Sequence, residues 1–159
     1  MSKPVVLITG GASGIGAATV DAFIREGWRI VIADMDITSA DAKMTNDEHV
    51  RLLEVDICQQ DSVEKLVSFA IDEFDHIDAL INNVGIQRWS TLKEMDIDVW
   101  KAVMDTNFYA SLFCLHSVGR HMLERGSGAI VNIISAHAER GVPKRGPYSA
   151  SKSALMALT

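Results

Sequence analysis

Tyr148 and Lys152 stand four residues apart in Tyr148-Ser149-Ala150-Ser151-Lys152, so on a helix they share a face. An ammonium one turn from a phenol favours the phenolate, the form a tyrosine needs to trade protons near neutrality. The same pair also reads as an ordinary surface tyrosine and lysine. Asn107 sets an amide on an otherwise apolar helical stripe, where it must be hydrogen-bonded. It is either a satisfied core amide or a holder of water near a reaction centre. Ser135 lies in Ile134-Ser135-Ala136, without the Gly-x-Ser-x-Gly elbow of a serine hydrolase. Its bland reading is a hydroxyl capping a turn after a strand. His137 is close by, with no acid partner placed.

A second chemistry sits near the N-terminus, in Leu7-Ile8-Thr9-Gly10-Gly11-Ala12-Ser13-Gly14-Ile15-Gly16. An apolar run feeds a glycine-rich turn that opens a helix. Such a turn exposes backbone N–H groups, and the helix end adds partial positive charge, which together suit a phosphate. The spacing is Gly-x3-Gly-x-Gly, not Gly-x-Gly-x-x-Gly. Asp34 follows Gly16 by 18 residues, near the ~20 expected of a ribose-binding acid. Its carboxylate would accept from both ribose hydroxyls and repel a 2′-phosphate, and no Arg or Lys flanks it. NAD is therefore expected over NADP. Asp56 reads as a partner for the adenine amino group or as a turn aspartate.

Alternating elements must position these groups. Val5–Ile8, Arg29–Ala33, Val50–Val55, Ala79–Ile81 and Ala129–Ile134 read as five strands. Each is apolar at nearly every position, which fits burial on both faces. Helices are expected after Gly14, weakly around Thr38–Met44, from an Asp61/Glu64 capping box, from Asp98 to Arg125, and around Tyr148. The Asp61 helix carries the stripe Val63, Leu66, Val67, Ala70 and Phe74. The stripe of the long helix is Trp100, Val103, Met104, Asn107, Ser111, Leu115, Val118 and Met122. Strands alternating with helices imply an α/β, doubly wound parallel sheet. Ligands of such sheets bind at the carboxyl ends of the strands, where the glycine turn, Asp34, Asp56, Asn82, Asn83 and Ser135 all fall.

The 159 residues suggest one domain with a real core. A net charge of −6 speaks against nucleic acid. No apolar run approaches a membrane span, and Cys58 and Cys114 have no metal or redox spacing, so free thiols in a reducing cytoplasm are expected. No metal is expected.

Taken together, the motifs resemble the short-chain dehydrogenase/reductase family. Thr9-Gly10-x3-Gly14-x-Gly16 looks like its cofactor motif, and Asn82-Asn83-Val84-Gly85 is similar to its Asn-Asn-Ala-Gly, with Val84 in place of alanine. Tyr148-x3-Lys152 matches its Tyr-x-x-x-Lys, with Ser135 thirteen residues before Tyr148. The resemblance implies a Rossmann-like NAD(P)-binding domain over 1–159 with strand order 3-2-1-4-5. Family members usually continue further, so this stretch is expected to lack the family's C-terminal part. Tyr148 would be the general acid/base and Lys152 its modulator and ribose ligand. Ser135 would bind the substrate oxygen, and Asn107 would keep a water in a relay. The implied cofactor contacts are Gly10, Ser13, Gly14, Ile15, Gly16, Asp34, Asp56, Ile57, Asn83, Val84, Gly85, Tyr148 and Lys152. The implied reaction interconverts a small-molecule alcohol and a carbonyl, in a homo-oligomer (dimer or tetramer) that binds neither nucleic acid nor membrane. The alternative is a dinucleotide-binding module without turnover.

Overall fold

The computed structural model describes residues 3–89, 91 and 93–159. Five strands form one sheet: β1 (Val5–Thr9), β2 (Arg29–Asp34), β3 (Val50–Glu54), β4 (Ala79–Asn82) and β5 (Ala129–Asn132). The order is β3-β2-β1-β4-β5, as expected, and every pairing is parallel. Parallel neighbours need crossovers. These carry α1 (Gly14–Arg25), α2 (Ala42–Asn46), α3 (Gln60–Phe74), α4 (Ile97–Met104), α5 (Ala110–Arg125) and, after β5, α6 (Gly146–Leu158).

Alternate residues of the central strands feed two cores, because successive side chains point to opposite faces. Val5, Leu7, Val31 and Leu80 meet the α3 stripe and the Cys114–Val118 face of α5. Val6, Ile8, Ile30, Ile32 and Ile81 pack on the other face with Val20 of α1. β1 and β4 are buried along their whole length. The expectation of two-sided burial fails at β5: Ala129 and Val131 are exposed, because β5 pairs only with β4.

Three local readings are corrected. The α3 stripe is as expected, but Asp61 is not its cap. Gln59 occupies that position with no side-chain bond, and Asp61 lies inside the first turn, where it faces the helix's positive end. The weak stretch around Thr38–Met44 divides into a 3₁₀ turn, Ile37–Ser39, and the short α2, because Ala40 is extended. The long helix is interrupted: a π turn, Asp105–Tyr109, joins α4 to α5. Cys114 rather than Leu115 faces the core. Gly126 ends α5 in a left-handed conformation, φ 73°, as its position past Arg125 suggested.

Candidate active site

Because all five strands run one way, their carboxyl ends share an edge, and a cleft of about 670 Å³ opens there. Gly10, Ser13 and Ile15 line its middle. Asp34, Asp56 and Ile57 border one end, and Val84, Gly85, Tyr148 and Lys152 the other.

The glycine turn is held from both sides. The Gly10 N–H donates to the Ala33 carbonyl (2.7 Å), and the Ala12 N–H donates to Asp34 Oδ2 (3.0 Å). Asn83 Nδ2 donates to the Thr9 and Gly10 carbonyls (3.0 Å each), and the Asn83 N–H donates to Thr9 Oγ1 (3.0 Å). Asn83 thus spends both amide hydrogens on fixing the turn. Gly10 and Gly14 sit at φ 65° and 56°, where a side chain is strained. Gly16 is required for a different reason: a Cβ there would fall 1.9 Å from the Gly10 carbonyl oxygen. Ser13, at the cap of α1, makes no side-chain bond to the first turn. The N–H groups at the helix start are left for solvent or an anion.

Asp34 is anchored, its second oxygen accepting from the Asp36 N–H (3.2 Å). Bonds from the Thr38 hydroxyl and N–H hold the Asp36 carboxyl below its ordinary range. Asp56 Oδ1 accepts from the Cys58 N–H (2.9 Å), so it closes a turn while lining the cleft.

At the other end, Tyr148 and Lys152 lie one turn apart on α6 and both face the cleft. Lys152 is 3% exposed, and its Nζ donates to the Ile133 carbonyl (2.7 Å). Burial pushes its ammonium below the usual lysine range. A neutral carbonyl leaves that charge uncompensated and available to a ligand in the cleft. Gly85 has no side chain to block it: a Cβ there would lie 3.3 Å from Lys152 Nζ and 3.4 Å from Asn107 Oδ1. The π turn presents Asn107, which is fully buried. Its Oδ1 accepts from the Ile86 N–H (2.7 Å) and its Nδ2 donates to the Ile86 carbonyl (2.9 Å). Of the two readings of Asn107, the side chain fits the satisfied core amide.

Gly14 and Gly16 shape the turn from outside the cleft lining, Asn107 lies behind it, and Ser135 is not brought to its wall. Ser135 Oγ accepts from the His137 N–H (3.2 Å) and caps the 3₁₀ turn Ala136–Ala138. The His137 ring meets the Tyr148 ring edge to face, 5.9 Å between centroids. Met35, Cys58, Ile86, Thr106 and Ile133 also line the cleft and were not anticipated. Each adjoins a singled-out motif or strand-end residue: Met35 follows Asp34, Cys58 follows Ile57, Ile86 follows Gly85, Thr106 precedes Asn107, and Ile133 lies at the end of the fifth strand.

Cys58 and Cys114 are both free thiols. Burial pushes the Cys58 thiol up, and that of Cys114 to about 12. A buried thiol raised this far is almost wholly protonated at pH 8, and the thiolate is the reactive form. Iodoacetamide is expected to leave Cys114 unmodified in the native protein and to alkylate it once guanidinium unfolds the chain. Peptide mass spectrometry reads both states, and fast native labelling of Cys114 would contradict the burial argument. Among the described residues no cluster of three metal-ligating side chains exists, and no helix is long and apolar enough to cross a membrane.

The family model described as short chain dehydrogenase matches residues 4–159. An uncharacterised oxidoreductase of Staphylococcus haemolyticus is 34% identical over 154 residues, covering 96% of this chain and 67% of that protein. Gluconate 5-dehydrogenase of Gluconobacter oxydans is 36% identical, covering 100% and 64%, and a 3-oxoacyl-[acyl-carrier-protein] reductase of Synechocystis is 33% identical, covering 100% and 66%. The crystal structure of gox2181 superposes with a TM-score of 0.91 at 28% identity, covering 99% of this chain and 64% of that one. The chain belongs to the short-chain dehydrogenase family. It spans about two thirds of the length of the curated relatives it matches.

Proposed function

We propose that this chain carries the cofactor site and acid/base machinery of an NAD-dependent oxidoreductase that interconverts an alcohol and a carbonyl. One observation carries the reading: a single cleft runs from the glycine turn and Asp34 to Tyr148 and Lys152. The residues present fit a dinucleotide. Uncapped N–H groups at the start of α1 suit its pyrophosphate, anchored Asp34 suits the adenosine ribose, and Lys152 suits the hydroxyls of the second ribose. When bound, the nicotinamide accepts or supplies the hydride.

The chain's own part is the proton. Tyr148 gives a proton to the carbonyl oxygen in reduction and takes it from the alcohol in oxidation. Lys152, buried with the Ile133 carbonyl as its partner, places a positive charge at the same end of the cleft. Ser135 is the proposed partner of the substrate oxygen. That role requires its hydroxyl hydrogen to turn from solvent toward the substrate while its lone pair keeps the His137 N–H. The relatives named for gluconate and for an oxoacyl carrier substrate act on different molecules, so their names support the reaction type and leave the substrate open.

NADH titration followed by fluorescence, then a stopped-flow search for hydride transfer with secondary alcohols and ketones, tests the reading. Binding with transfer supports it; binding without transfer is the signature of a dinucleotide-binding module. The choice of NAD makes its own forecast. A 2′-phosphate at about 5 Å from Asp34 would meet about 3 kcal/mol of repulsion at an effective dielectric of ~20, less after solvent screening. Asp34→Asn keeps an acceptor for the Ala12 N–H while removing the charge. It is expected to lower the NADH-over-NADPH binding ratio about tenfold or more. An unchanged ratio of dissociation constants would remove Asp34 from cofactor choice.

A further inference from the structure

The Asn107 amide has a third bond, and the site described above does not use the residue that makes it. Asn107 Nδ2 donates to Ser151 Oγ (2.9 Å), and Ser151 Oγ donates to the Tyr148 carbonyl (2.8 Å). Ser151 and Asn107 are both fully buried. We propose that Ser151 is a positioning residue for Tyr148, coupling the phenol's helix turn to the Ile86 loop through the Asn107 amide. The proposal rests on the acid/base reading of Tyr148.

The direction of the bonds follows from hydrogen counting. A serine hydroxyl has one hydrogen. Given to the Tyr148 carbonyl, it leaves only lone pairs toward Asn107, so the NH₂ end of the amide must face Ser151. The Asn107 oxygen is then turned toward the Ile86 N–H, which it meets at 2.7 Å. Ile86 follows Gly85, and both line the cleft with Tyr148. Three segments far apart in sequence are thereby joined: Asn107 ties the loop after β4 to the π turn, and the Ser151 hydroxyl ties that amide to α6. Losing it leaves a buried amide hydrogen without a partner and an amide held by Ile86 alone.

The sequence has only two tyrosines, Tyr109 and Tyr148. Uniform 3-fluorotyrosine labelling therefore yields two ¹⁹F signals, which Tyr148→Phe assigns. Ser151→Ala is expected to move the Tyr148 signal and to speed amide exchange at Ile86 about tenfold or more, as a lost buried bond allows. Either signal unmoved overturns the proposal. Ser153→Ala is the control: its hydroxyl lies 2.6 and 2.9 Å from the Ala138 and Ser149 carbonyl oxygens, with one hydrogen to give, and does not bond Asn107. It is expected to leave Ile86 exchange unchanged, and equal acceleration would show general loosening of α6 and overturn the coupling. Should Ser151→Ala fail to fold, the wild-type protein decides: slowed exchange of the Asn107 carboxamide hydrogens supports the bonds, and free-amide rates refute them. NADH titrated into the wild-type protein separates the two readings. Absent binding removes the redox reading, while the ¹⁹F and exchange signals still judge the coupling.

Discussion

Tyr148→Phe is expected to slow hydride transfer about 10³-fold, the usual scale for losing a general acid/base, while NADH binds within about twofold of wild type because the ring remains. The phenyl ring keeps its edge contact with His137, 5.9 Å away, and only the hydroxyl is removed. Single-turnover absorbance at the reduced-nicotinamide band reads the chemical step, and fluorescence titration reads the binding. The neighbouring Lys152 is buried with a carbonyl as its partner. Turnover surviving at a tenth of wild type or more would take the acid/base role away from Tyr148.

The second large effect is structural. Gly16→Ala is expected to cost about 3 kcal/mol or more of stability, at or beyond the usual upper end of overpacking. It is also expected to abolish measurable NADH binding. The added Cβ would lie 1.9 Å from the Gly10 carbonyl oxygen and 2.7 Å from Asn83 Nδ2. Neither neighbour can yield cheaply, because one is backbone and the other holds the turn. Gly14→Ala is the comparison: nothing lies near its Cβ, and only the φ of 56° is strained, for about 1–2 kcal/mol. Urea unfolding of the two variants should rank them in that order. Equal losses would mean that helix–turn contact contributes nothing beyond backbone conformation.

Much of this was readable from the chain itself. Apolar strand runs, glycine positions and the α3 stripe are local properties, and a parallel sheet with right-handed crossovers leaves few arrangements for them. The ends of those strands had to share one edge, so the glycine turn, Asp34 and Asn83 came to one cleft by connectivity alone. β5 departed from expectation because exposure depends on what lies beside a strand. The supposed cap at Asp61 departed because a capping pattern does not choose its own first turn; α3 begins two residues earlier and buries the same stripe.

The sequence by itself brought the glycine turn, Asp34, Asp56 and Asn83 to one edge, because period and turn chemistry act over a few residues. Only the tertiary structure decided what those side chains do with their hydrogens. Asn107 read as either a satisfied core amide or a holder of water, and its amide is bonded to Ile86 and Ser151. Asn83 lines the cleft, and its amide hydrogens go to the Thr9 and Gly10 carbonyls. Hydrogen bonds between segments tens of residues apart depend on the π turn and on helix docking to within an ångström, which spacing along the chain does not encode.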